Sequence, residues 1–270
     1  MARIADGIVL DLAPRGSARC VVVTTKGWEM QEQPPDGVVF RRSRATRPLP
    51  EPVDDGSLTE LRELLGFSCR DPRWLLLRGW LVASRLPGMA RPLLGFLGVQ
   101  GSAKTTRAAM TVGIADPKPD GALGGSFGRS LKDDQVKALA QFYVADDNLG
   151  RVTLAQSDHL ARLVTGESAQ DRALYTDGEL SSITYRRTGV FTGLTLPGNL
   201  QPDALERIIP IELTHIPETD RRTEEDVMSA WHRAHPRILG ALLVEVRDML
   251  DFLDTAAEDT SGQRPRMADY

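Results

Sequence analysis

Cysteine is scarce: the 270 residues contain two, Cys20 and Cys69. Their spacing fits neither a metal ribbon nor a disulfide-stapled domain, so the expectation is two buried, reduced thiols. No apolar run reaches the ~18 residues that a membrane-spanning helix needs. The opening MARIADGIVLDL lacks the apolar core and cleavage site of a secretory signal. The expectation is therefore a cytoplasmic protein with no membrane partner. Basic charge is not in excess either. Lys and Arg number 33 against 37 Asp and Glu, for a net charge of −4, which argues against a broadly basic nucleic-acid binder while leaving room for a local basic surface. The length suffices for one large domain or two unequal ones.

What is present changes along the chain. From 7 to 40, "GIVLDL", "ARCVVVTT", "GWEM" and "GVVF" read as short strands, with "PRGS" and "TTKG" as hairpin turns. "RPLPEPVDDG" (47–56) reads as an extended linker. Ser57 with Glu60 has the S-x-x-E spacing of a capping box ahead of "LTELRELLGF". Asp71 before Pro72 is a helix N-cap with proline at the first helical position. Beyond residue 90 the pattern alternates. Apolar strands "PLLGFLG", "QFYVADDN", "TGVFTGLTL" and "RIIPIEL" are separated by helical segments "KTTRAAMTVGI" and "SDHLARLVTG", which predicts an α/β layer with a mostly parallel sheet. "TEEDVMSAWHRAHPRILGALLVEVRDMLDFL" is helical from about 223, and Pro236 predicts a break within it. The segments divide as a β-rich 1–46, a linker and helices at 47–90, a core at 91–220, a helical lid at 221–254 and a solvated tail at 255–270.

One stretch carries phosphate chemistry. "GVQGSAKTT" follows a strand and opens a helix, as a phosphate-binding loop must. Gly98, Val99, Gln100, Gly101, Ser102 and Ala103 form the loop. Amides converge there at a helix N-terminus, where unpaired donors and the helix dipole favour anions. Lys104 is placed to reach the β- and γ-phosphates of ATP, the Thr105 hydroxyl to hold Mg²⁺, and Thr106 to continue the turn. The usual motif has glycine before the lysine; Ala103 stands there. It is tolerated if its φ is negative, as expected beside a helix start, whereas a left-handed φ costs a non-glycine residue roughly 1–2 kcal/mol.

A second segment, "FYVADDN" (142–148), delivers carboxylates at the C-terminal end of a strand, where ligands sit in open α/β sheets. Two registers compete. Asp146 holds Mg²⁺ while Asp147 polarises water, or Asp147 is the metal-side acid with Asn148 beside it; the first is favoured.

With both segments placed, the chain resembles ATPases of phages and actinobacterial integrative elements, near the AAA+ superfamily III helicase domains of phage and plasmid primase-helicases. "GVQGSAKTT", "VADDNLG", "LARLVTG", "RALYTDGE", "FTGL", "PDALERIIPIEL" and "RAHPRILGALL" carry the resemblance, and "GWEM…PPDGVVFRR…LPEP" and "LLLRGWLVAS" extend it toward the N-terminus. It implies a P-loop core of AAA+ type with a small β-rich N-terminal segment and a C-terminal helical lid. Thr192 in "FTGL" takes the sensor 1 position, where asparagine is usual, with a hydroxyl able to bond a water or a γ-phosphate oxygen. Arg207 takes the arginine-finger position, acting on a neighbouring subunit, and Arg237 the sensor 2 position. His232 and His235 flank Arg237 and are expected to be partly buried polar residues, not metal ligands. "YTDGEL" has the Asp-Gly signal of a hairpin, in the place where such motors grip DNA. Its tip carries Asp177 and Glu179; the basic Arg172, Arg186 and Arg187 lie at its base, with Tyr175 and Tyr185 available for stacking.

The resemblance thus implies Mg-dependent ATP hydrolysis in a self-assembled, hexamer-like ring or a filament, as a helicase-like motor on single- or double-stranded DNA from a mobile element such as a phage. A nucleotide-controlled scaffold assembling with a protein partner, in phage defence, is the reading from a different class. A degenerate ATPase that binds without turnover is the third.

Overall fold

A computed structural model describes residues 1–44, 46–86, 89, 91–118, 123, 131–172 and 180–258, with 167–172, 180–183 and 256–258 as backbone only. The chain forms two compact units. One comprises 1–89, 109–122 and 216–270; the other comprises 90–108 and 123–215.

The first unit begins with an antiparallel sheet whose strands follow sequence order: β1 (Ala2–Ile4), β2 (Gly7–Asp11), β3 (Cys20–Thr24) and β4 (Gly27–Gln31). Thr24 pairs with Gly27, so "TTKG" is a two-residue hairpin turn, as the sequence suggests. Cys20 and Val21 to Val23 are buried, because the β-branched run is covered on both faces. "GVVF" is not a strand. Val38 and Phe40 do pack against Val9, Cys20 and Val22, while Val39 is 90% exposed. The Val38 N–H, however, donates to Pro35 O in a turn, outside any ladder. Cys20 is buried as expected, but Cys69 is exposed.

Three helices complete this unit: α1 (Leu58–Leu64), α2 (Pro72–Ala83) and the 35-residue α7 (Glu224–Glu258). Asp71 caps α2 by accepting the Arg73 N–H at 2.9 Å. Ser57 caps α1 through the Thr59 N–H at 3.1 Å. The expected capping box does not close, because the Glu60 carboxylate is drawn instead to the Arg237 guanidinium of α7, at 2.6 to 3.1 Å.

Pro236 does not break the long helix. Proline removes one helical hydrogen bond and crowds the preceding turn, yet α7 runs through it, held by a close-fitting neighbour. The Val53 N–H donates to Pro236 O at 3.2 Å. A Cβ on Gly240 would lie 1.7 Å from Val53 O, and one on Gly56 2.1 Å from Arg237 O. The extended 53–56 segment therefore lies directly on the α7 backbone, and packing outweighs the local propensity. α7 also continues to Glu258, so residues 255–258 are helical and not part of a tail; residues 259–270 lie outside the described residues. Within α7, His235 stacks on Trp231 with ring centroids 4.6 Å apart and lies 3.2 Å from Ile114 O. Burial holds its pKa down to about 4, so at neutral pH it is an uncharged core residue. His232 is exposed, and no cluster of three metal-ligating side chains occurs among the described residues.

The second unit is built on four parallel strands, β5 (Leu93–Gly98), β6 (Tyr143–Asp146), β9 (Thr188–Gly193) and β10 (Ile208–Leu213), in the order β10-β5-β9-β6. The central β5 and β9 are buried on both faces, as expected of a covered parallel sheet. α3 (Lys104–Gly113) leaves the end of β5 and carries the chain into the first unit. α4 (Leu131–Ala140), which no sequence signal announced, precedes β6, α5 (Leu154–Thr165) follows it, and the short α6 (Pro202–Leu205) precedes β10. Thr153 and Gln156 close a complete capping box on α5. Ala138 of α4 and Leu160, Leu163 and Val164 of α5 form one core with Val144 and Phe191 of the sheet. β7 (Glu167–Arg172) and β8 (Leu180–Tyr185) pair as the expected antiparallel hairpin. Its turn, with Tyr175, Asp177 and Glu179, and the Arg172 side chain lie outside what the structure describes.

Candidate functional site

The site grows from the end of β5. Gly98 has φ +151°, and a Cβ there would lie 2.3 Å from Leu213 O of the neighbouring β10. No larger residue fits. Gly101 has φ +82°, open to glycine at no steric cost. These two positions turn the chain from the strand to α3. Inside the turn, the buried Ser102 donates its hydroxyl to Val99 O at 2.8 Å, and the Lys104 ammonium donates to the same oxygen at 2.8 Å. Val99 and Gln100 are exposed, and Thr106 is half-buried. The first N–H groups of α3 have no intrahelical partners, as at any helix start.

Ala103 departs from expectation. Its φ is +56°, in the left-handed region. The helix starts one residue later than a negative φ at 103 would allow, so the alanine occupies the conformation for which glycine is the usual residue. The strain is of order 1–2 kcal/mol, partly offset by the smaller unfolded-state entropy of alanine. Ala103→Gly should therefore raise the melting temperature by roughly 1–4 °C. A scanning thermal melt checks this; a fall would show that the strain is absent.

β9 lies between β5 and β6, and its end joins the two motif segments. Asp147 leaves the end of β6, and its Oδ1 accepts the Thr105 hydroxyl at 2.9 Å and the Thr192 hydroxyl at 2.6 Å. Thr192 is 1% exposed and in turn accepts the Asn148 N–H at 2.8 Å. Its single proton is thus committed to Asp147. The expected bond to a phosphate oxygen or water would need that proton, so in this arrangement Thr192 orients the acid. Asn148 sits at φ +57°, which asparagine tolerates, and contributes its backbone N–H; its side chain is exposed. Asp146 does not face this cluster. It is 2% exposed, and its Oδ1 accepts the Lys137 ammonium of α4 at 2.5 Å.

The hydroxyl of Thr105 and the carboxylate of Asp147 are hard oxygen donors held together at one point. That is the donor chemistry Mg²⁺ takes, with phosphate oxygens and water completing its octahedron. The residues present fit the ion.

The remaining candidates are dispersed. Arg207 immediately precedes β10 and is engaged by Asp203, through its backbone oxygen at 2.5 Å and through its carboxylate. Arg237 belongs to the first unit, where Glu60 holds it; the pairing raises its pKa. Arg186 and Arg187 were placed at the base of the hairpin, where the motor reading has them meet DNA phosphate. Arg187 Nε instead donates to Ala138 O and Gln141 O, both at 3.0 Å, and Arg186 Nε to Thr165 O at 3.1 Å. They close the C-terminal ends of α4 and α5, where unpaired carbonyls and the helix dipole favour a cation. Arg91 lies near both. Burial chiefly, then the charges of Arg187 and Arg186, lower its pKa to about 10. Sequence reasoning missed Lys137, for no motif spacing relates it to Asp146.

Residues 58–270 match the family model described as actinomycete integrative conjugative element replication protein. No curated protein matches the chain. Among solved structures, the chain is similar to the apo C-terminal region of NrS-1, at 12% identity and TM-score 0.49 over 94% of this chain and 72% of that one. It is also similar to a JCV helicase bound to a thiazolopyridinyl-phenoxyphenyl acetamide, at 11% identity and TM-score 0.40 over 76% of this chain. The chain spans 60% of the length of that helicase. With a glycine-turned loop, a helix N-terminus and the Thr105–Asp147–Thr192 cluster at the ends of parallel strands, and with the family match covering most of its length, the chain belongs to the replication-protein family of actinomycete integrative conjugative elements.

Proposed function

We propose that the protein is a Mg-dependent ATPase that works as an assembled, helicase-like motor in DNA replication. The observation that carries this reading is the hydrogen bond from Thr105 to Asp147. It ties the first turn of the loop helix to the acidic strand end, two segments that phosphate chemistry needs side by side. In this reading the loop amides and Lys104 bind the β- and γ-phosphates, and Thr105 with Asp147 holds Mg²⁺. When bound, the ion neutralises charge developing on the phosphoryl oxygens. Thr192, itself held by the Asn148 N–H, fixes the carboxylate, so its orientation is set before nucleotide arrives.

The same bond supports the second register of the acidic pair, with Asp147 on the metal side, over the register favoured from sequence. Asp147→Asn should then weaken Mg-dependent nucleotide binding by at least about tenfold. Binding of a fluorescent, non-hydrolysable ATP analogue, titrated with and without Mg²⁺, measures it. Retained Mg-dependent affinity together with slowed hydrolysis would return the metal-side role to Asp146.

The scaffold reading has one observation in its favour: Arg186 and Arg187, the residues expected to take DNA phosphate, hold backbone carbonyls. Replacing both with alanine should lower the melting temperature and flatten the slope of log affinity against log salt by less than one unit, because each lost phosphate contact accounts for nearly one. ATP-driven unwinding of forked DNA by the wild type is the deciding experiment. No unwinding, and no DNA binding at ~50 mM salt with ATP analogue present, would favour the scaffold.

A further inference from the structure

The buried pair of Lys137 and Asp146 does more than satisfy a charge; we infer that Lys137 is a positioning residue for the Mg²⁺-binding carboxylate of Asp147. The inference rests on the ATPase reading above and concerns a residue of α4 that lies outside both motif segments.

Asp146 is the last residue of β6, immediately before Asp147. It shares the sheet face of Val144, against a core that includes Leu160, Leu163 and Phe191. A carboxylate at such an apolar margin costs several kcal/mol unless a counter-charge reaches it. Lys137 supplies that charge at 2.5 Å, with its own side chain 17% exposed and that of Asp146 3%. The partner cannot wander. Ala138, the next residue of α4, is fully buried in the same core, and Arg187 holds the end of α4 by the carbonyls of Ala138 and Gln141. α4 is therefore anchored immediately after Lys137, and the ion pair transmits that fixed position to the final residue of β6.

Consecutive residues at a strand end project to opposite sides. Holding Asp146 in the buried layer therefore determines the direction in which Asp147 emerges. Asp147 leaves toward Thr105 and Thr192, which receive it at 2.9 and 2.6 Å. Without Lys137 the Asp146 carboxylate loses the counter-charge that holds it in that layer, and any rotation of the strand end carries Asp147 with it. The effect belongs to metal binding and not to contact with nucleotide, since the pair sits in the buried layer behind the strand end.

The test uses the full chain as wild type, Lys137→Met, Lys137→Arg and the double variant Lys137→Met with Asp146→Asn. Two quantities are read: the melting temperature, and the Mg²⁺ concentration giving half-maximal binding of a fluorescent, non-hydrolysable ATP analogue. Lys137→Met removes the counter-charge of a buried carboxylate and should melt on the order of 10 °C lower. The uncharged double variant should regain most of that loss. A structural pair would regain its Mg²⁺ midpoint as well. A positioning pair would not: both variants should need at least about fivefold more Mg²⁺, the lower side of outer-shell effects, with analogue affinity in the absence of Mg²⁺ unchanged. Lys137→Arg should stay near wild type. A double variant with a wild-type Mg²⁺ midpoint overturns the inference and leaves the ATPase reading standing, and it does so even if Lys137→Met fails to fold. A wild type whose nucleotide binding ignores Mg²⁺ overturns both.

Discussion

Lys104→Ala should leave the protein folded and lower its ATP turnover by about 10² or more, the scale on which single donors to a transferring phosphoryl group act. The residue is half-buried, and its ammonium is satisfied by Val99 O, a bond within the loop itself. No core side chain depends on it. Its removal therefore subtracts a charge-assisted contact to phosphate and little else. Affinity for nucleotide should also fall, because a hydrogen bond to a charged group contributes about 1.5–3 kcal/mol. Phosphate release, nucleotide titration and a thermal melt on the same preparation separate these effects. A well-folded Lys104→Ala protein with wild-type turnover would sink the ATPase assignment, and the loop would be a glycine turn without a ligand.

How much of this could be read from the chain depends on whether a feature is local. The loop at 98–106, the acidic end of β6 and the parallel strands are consequences of short-range pattern: apolar runs, glycines and a helix start. Each was legible. Thr192 was legible as a polar residue at a strand end, but not the use of its one proton, which depends on Asp147 lying on the next strand of the sheet. Pro236 misled because propensity was read without its neighbour. The contact that keeps α7 continuous comes from Val53, which is remote in sequence. Glu60 misled for the same reason, since the Arg237 that captures it is 177 residues away. Arg186 and Arg187 looked available because carbonyls at helix ends carry no signature in sequence. Ala103 is the reverse case. The motif itself asks for glycine, and the left-handed φ found at 103 is the backbone requirement behind that preference.

Arg207→Ala should bind ATP nearly as well as the wild type and hydrolyse it roughly 10³–10⁵ times more slowly, if it stabilises phosphoryl charge across a subunit boundary. Its place in the sheet forbids any role in its own site. β10 runs parallel to β5, with Ile208 beside Leu93 and Leu213 beside Gly98. Arg207 therefore precedes the strand at the end opposite the phosphate loop, roughly 15–20 Å away at the strand rise of about 3.3 Å per residue. No arginine side chain spans that. It must first leave Asp203, four residues earlier, but Asp203 is 66% exposed. The Arg207 side chain is 19% exposed and also holds Asp203 O, so release gives up one backbone hydrogen bond, about 0.5–1.5 kcal/mol, besides the solvated carboxylate, and stays small beside the rate effect. Asp203→Ala should accordingly hydrolyse ATP at least as fast as the wild type. The decisive arrangement mixes the two inactive proteins. Lys104→Ala retains a sound arginine beside an impaired phosphate site, and Arg207→Ala retains a sound phosphate site without the arginine. Under conditions that permit subunit exchange, some interfaces then unite the two intact halves, and phosphate release should recover in part. If mixed oligomers form and no activity returns, Arg207 does not act across the interface, and Arg237, once freed from Glu60, is the next arginine to test.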